Sequence, residues 1–153
     1  MLIGREGESA RLLALIADAR RGRSGVLVLM GDPGIGKTAL LGVSAHAARD
    51  MRILSVTGFE SESELAFAGL DRLIRPWFDH LELLPAHQAA SLRSAVGLSP
   101  LEPVDPFAVC TALLTFLALL ADEVPVALIV DDAQWLDRAS ADNVASMLLD
   151  LAR

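Results

Sequence analysis

An α/β fold with a mostly parallel sheet flanked by helices is predicted by three features of the sequence. Two short, continuous apolar runs, "GVLVLM" at 25–30 and "VALIV" at 126–130, read as strands buried on both faces. Segments with apolar residues at helical spacing alternate with such runs. The first run also leads straight into a glycine-rich turn, "GDPGIGKT" at 31–38, followed by helical residues. Strands alternating with helices build parallel sheets, because a parallel neighbour is reached only by a long crossover.

Each element follows in order. Leu12, Leu13, Ile16 and Ala19 share a helical face in "GESARLLALIADARRG", and Gly22 is a stop. After the glycine turn a helix is expected from Lys37 to about Arg49. "RILSVTG" at 52–58 reads as a strand. Phe67, Leu70, Leu73, Ile74 and Trp77 form one helical stripe, closed by a turn near Pro85. "AHQAASLRSAVG" predicts a weaker helix and "SPLEPVDP" a proline-rich connection. Asp105 suits an N-cap and Pro106 a first turn. The helix they begin covers the apolar run Phe107 to Ala121 and ends at "DEVP". That run is shorter than the roughly 20 residues of a membrane span, so it is expected to be a buried core helix. The last stretch, Ser140 to Arg153, is amphipathic, with Val144, Met147, Leu148 and Leu151 on one side.

The 153 residues amount to one domain, read as residues 1–153 of an α/β unit. A net charge of −7 argues against direct nucleic-acid contact by this segment, which needs clustered Lys and Arg. The single cysteine, Cys110, allows no internal disulfide, and a cytoplasmic location fits. The N-terminal "MLIGREGE" has no signal pattern, and no membrane association is expected.

The glycine turn carries the chemistry. Gly31, Gly34, Gly36, Lys37 and Thr38 match the phosphate-binding pattern G-x-x-x-x-G-K-[ST]. Glycines let the backbone approach a phosphate without a Cβ in the way. Successive N–H groups of Gly31, Asp32, Pro33, Gly34, Ile35, Gly36, Lys37, Thr38 and Ala39 (proline excepted) can then form an anion nest at a helix start. The Lys37 ammonium would reach the β- and γ-phosphates of ATP or ADP, and the Thr38 hydroxyl would hold Mg²⁺. Lys37 is the only lysine in a chain with twelve arginines. A compact ammonium fits a narrow nest where a planar guanidinium does not.

Such a loop needs an acidic partner at the end of a buried strand, and "VALIVDD" supplies one. Asp131 is expected to hold the metal, and Asp132 to face the γ-phosphate and an attacking water as general base. His46, His80 and His87 have no metal-ligand spacing. Cys110 and Trp77 read as packing residues, "ESESE" at 60–64 as a solvated loop, and Arg138 as a surface arginine or an arginine finger.

Taken in order, "GREGE", "GDPGIGKT", "LAFAGLDRLIRP" and "DDAQWLD" resemble the N-terminal ATPase module of the large LuxR-type transcriptional regulators. Those are signal-transduction ATPases related to the AAA+ and origin-recognition ATPases. The resemblance implies a P-loop NTPase sheet of five strands and places Gly4, Arg5 and Glu6 near the adenine. It also implies phosphate and Mg²⁺ roles for Lys37 and Thr38, metal binding for Asp131, and a catalytic role for Asp132, where many relatives carry glutamate. In the family a further strand inserts between the glycine-loop strand and the "VALIVDD" strand. This chain is expected to end before that strand, before the sensor residues and helical lid, and before the DNA-binding helix-turn-helix.

Four functions are therefore weighed: an ATP-binding and hydrolysing regulatory switch that self-associates, a nucleotide-binding module with negligible hydrolysis, a small-molecule P-loop kinase, and an inert truncated product. Nucleotide affinity separates the first two from the last. Phosphate release without an acceptor separates the switch from the kinase.

Overall fold

A computed structural model of the chain describes residues 4–98 and 104–151. Helix α1 (Glu6–Ala19) precedes the glycine loop, and α2 (Lys37–Ala47) follows it. Strand β1 (Arg52–Thr57) leads through helices α3 (Ala68–Ile74), α4 (Ala86–Ala95) and α5 (Pro106–Glu123) to strand β2 (Val126–Asp131). Helix α6 (Arg138–Leu151) comes last.

The two strands pair in parallel, with Arg52 opposite Val126 and Thr57 opposite Asp131. Gly58 N extends the ladder by donating to the Asp131 carbonyl at 3.0 Å. Side chains alternate across the pleat. Leu54, Val56, Leu128 and Val130 join the main core with α3 to α6, while Ile53 and Ala127 face a smaller cluster with Ile16, Ala48 and Met51. Helices thus cover both faces of the strand pair, in the layering that a parallel sheet requires.

Helix α5 is the centre of the main core. Asp105 caps it by accepting from Phe107 N at 3.0 Å, and Pro106 occupies its first turn. By length and composition it could cross a membrane. Instead Val109, Ala112, Leu113, Phe116 and Leu120 are fully buried against the other helices, so it is a core helix in this fold. Burying Phe116 alone is worth about 3 kcal/mol.

Two expectations need correction. Residues 25–30, "GVLVLM", form no strand and are not buried on both faces: Val28 is 68% exposed and Met30 90% exposed. A strand exists only where a neighbour offers N–H and C=O groups. β1 and β2 offer theirs to each other, and no backbone hydrogen bond engages 25–30 among the described residues. The stripe from Phe67 to Trp77 is also not one helix. Pro76 has no N–H to give, so α3 stops at Ile74 and continues as tighter 3-10 turns, with a kink at Trp77. Leu70, Leu73 and Ile74 are buried as predicted, whereas Phe67 stands before the helix in a left-handed conformation, φ 63°. Most of the proline-rich connection lies outside the described residues. Helix α6 starts two residues earlier than predicted, and its Val144 and Met147 are buried.

Candidate functional site

The glycine loop runs from Gly31 to Gly36 and ends as the N-cap of α2. Gly34 and Gly36 have φ of 78° and 96°, where a side chain would be strained. Ile35 N closes the turn on the Asp32 carbonyl at 3.3 Å. The Lys37 ammonium folds back over the loop and donates to the carbonyls of Gly31 at 2.8 Å and Asp32 at 3.0 Å. Helix α2 has no side-chain cap. The N–H groups of Gly36, Lys37 and Thr38 donate to no described residue. A helix start with free amides, its dipole and a fixed ammonium favours an anion. Thr38 and Ala39 are exposed beside it.

Arg5 joins the opening segment to this loop. One guanidinium nitrogen donates to the Ile35 carbonyl at 2.6 Å, and another to Glu8 Oε1 at 2.9 Å. Gly4 N donates to Glu6 Oε1 at 3.1 Å. The structure therefore brings Arg5 to the glycine loop, while Gly4 contacts Glu6 within its own segment.

The acidic turn lies at the C-terminal end of β2, and α2 packs against that strand. Asp131 Oδ1 accepts from Asp132 N at 2.9 Å. Asp132 takes a left-handed conformation, φ 46°, and its Oδ1 accepts from Gln134 Nε2 at 3.0 Å. Such a conformation is uncommon without glycine and collects at functional sites. A 3-10 turn, Ala133–Trp135, follows. Among the described residues no hydrogen bond or ion pair links the acidic turn to the glycine loop. Mg²⁺ takes oxygen ligands and is commonly held by one or two carboxylates plus phosphate and water. Asp131 and Thr38 carry oxygen donors of that kind, so their chemistry fits the ion; among the described residues no group of three or more His, Cys, Asp or Glu stands together to hold a metal.

Three residues of this region carried no assigned role in the sequence. Gly58 follows β1 directly beneath the acidic turn, where a Cβ would clash with the Asp132 carbonyl oxygen. Asp137, 2% exposed, accepts backbone N–H groups from Phe67, Gly69 and Ser140. Burial works against its charge, but the donors from Gly69, Ser140 and Phe67 outweigh it and hold the carboxyl below its usual range. Ser140 Oγ accepts from Leu70 N at 2.8 Å. An Asp just before an amphipathic run is a readable N-cap signal for α6. Its bonds to α3, some seventy residues upstream, have no local signal.

Compared with known families, the chain matches the AAA ATPase domain over residues 1–153. It belongs to that family and is an AAA-type nucleotide-binding ATPase module. No curated protein and no solved structure matched the chain.

Proposed function

We propose that residues 31–38 bind Mg·ATP and Mg·ADP, with Lys37 and the free amides of α2 on the phosphates, Thr38 and Asp131 on Mg²⁺, Asp132 facing the γ-phosphate, and the base near Gly4 and Arg5. The observation that carries this reading is Lys37, whose ammonium is fixed over the loop by the Gly31 and Asp32 carbonyls. Following the resemblance of the sequence motifs, the module works as a cytoplasmic regulatory switch of a LuxR-type transcriptional regulator, in which bound nucleotide biases a two-state element. The exposed Val28 and Met30 support self-association. A calorimetric titration of ATP with Mg²⁺ tests the site: the unaltered chain binds, and Lys37→Ala loses most of the affinity. Equal affinity in the two would refute the assignment.

A second reading, binding with very slow hydrolysis, is favoured by segment 25–30, which has no backbone partner among the described residues. Hydrolysis depends on positioning more than ground-state binding does. A phosphate-release assay on the same protein separates the two readings.

A further inference from the structure

The acidic turn is pinned at both ends. At its start, Gly58 N donates to the Asp131 carbonyl, and the absence of a Cβ on Gly58 lets the backbone of Asp132, Trp135 and Leu136 sit directly on β1's end. At its exit stands the buried Asp137. One carboxylate oxygen accepts from Phe67 N at 2.8 Å and Ser140 N at 2.9 Å, and the other from Gly69 N at 2.9 Å. A single side chain thus satisfies the opening amides of two helices, α3 and α6. Ser140 Oγ completes the α3 cap through Leu70 N. Between these pins Asp132 is left-handed, and such a conformation persists where its surroundings impose it.

We propose that Asp137 is the positioning residue of the acidic turn: by tying its exit to the starts of α3 and α6, it holds Asp131 where the Mg²⁺ of a bound nucleotide is received and Asp132 facing the γ-phosphate. The metal half of this inference rests on the nucleotide-binding reading above. Two carboxylate oxygens take three N–H donors, whereas an asparagine amide would turn an NH₂ towards at least one of them.

The test compares Asp137→Asn with Asp137→Ser, which keeps a cap for α6 but is too short for α3, and with Ser140→Ala, which weakens α3 without freeing the turn. Amide exchange followed by NMR on the unliganded chain comes first. Both Asp137 variants should speed exchange at Trp135 and Leu136 as well as at 67–70 by about tenfold or more, and Ser140→Ala only at 67–70. ATP titration with and without Mg²⁺ comes second. The Asp137 variants should keep the Mg²⁺-free affinity and lose about tenfold or more of the Mg²⁺ enhancement, the scale on which supporting residues act at metal sites. Unchanged exchange at Trp135 and Leu136 would overturn the proposal, and so would a loosened turn with full Mg²⁺ enhancement. If the unaltered chain binds no ATP, the nucleotide reading fails by itself, and the exchange data still decide whether Asp137 holds the turn.

Discussion

Lys37 donates its ammonium to the carbonyl of Gly31 at 2.8 Å, across the mouth of the glycine loop. The side chain is therefore ordered before any phosphate arrives, and little rotamer entropy remains to be lost on binding. Lys37→Ala should weaken ATP by about 1.5–3 kcal/mol, roughly tenfold to a hundredfold in Kd, as for a charged hydrogen bond. Lys37→Arg should recover little, because the fork cannot meet both carbonyls and a phosphate. Titration calorimetry reads both.

The two aspartates should divide their work. Asp131→Asn should reduce the Mg²⁺ dependence of ATP binding. Asp132→Asn should leave binding intact and slow hydrolysis by roughly a hundredfold or more, the usual worth of a general base. Abolished binding in Asp132→Asn, with hydrolysis per bound ATP unchanged, would reverse the assignment.

Acid should loosen the turn before it unfolds the core. The Asp137 carboxyl has a folded-state pKa below its unfolded one. Its contribution is then fully present above the unfolded value and is lost as pH falls through the folded value. Thermal unfolding of the unaltered chain should lose stability across that acidic range. Asp137→Asn should be less stable at neutral pH, by about 3 kcal/mol, and flatter in acid. Parallel pH profiles would contradict this.

Core and edge should differ sharply. Phe116→Ala opens a cavity at the centre of α5 and should cost about 3–5 kcal/mol in urea unfolding. Amides of Val26–Met30 have no partner among the described residues and should exchange fast, while those of β1 and β2 in their ladder are protected. Slow exchange at Val28 would mean that a partner strand covers it.

Much of this was legible because the signals were local. Glycines with a lysine at fixed offsets mark the loop, and Asp105 with Pro106 marks the start of α5. The apolar faces of α5 and α6 stand at helical spacing, as do the buried Leu12 and Ile16 of α1, whereas Leu13, expected on the same face, is exposed. What stayed hidden depends on distant partners. "GVLVLM" has a strand's composition, but pairing is a property of two segments, and one segment's composition says nothing of the other. The α3 stripe ran past Pro76 because apolar spacing says nothing of a missing N–H. Asp137 looked like the end of a motif, and only the fold brings Phe67 and Gly69 to it.

The ladder between Arg52 and Val126 joins partners more than seventy residues apart, and α3, α4 and α5 all lie within that stretch. Parallel pairing over such a distance is slow, since loop closure costs entropy before any contact repays it. The helices can collapse on one another first, and their collapse draws the two strand ends together. During synthesis the glycine loop leaves the ribosome long before Asp131 is made. The glycine loop and the acidic turn are therefore made and folded at different times, and the acidic turn takes its place only once β2 has found β1.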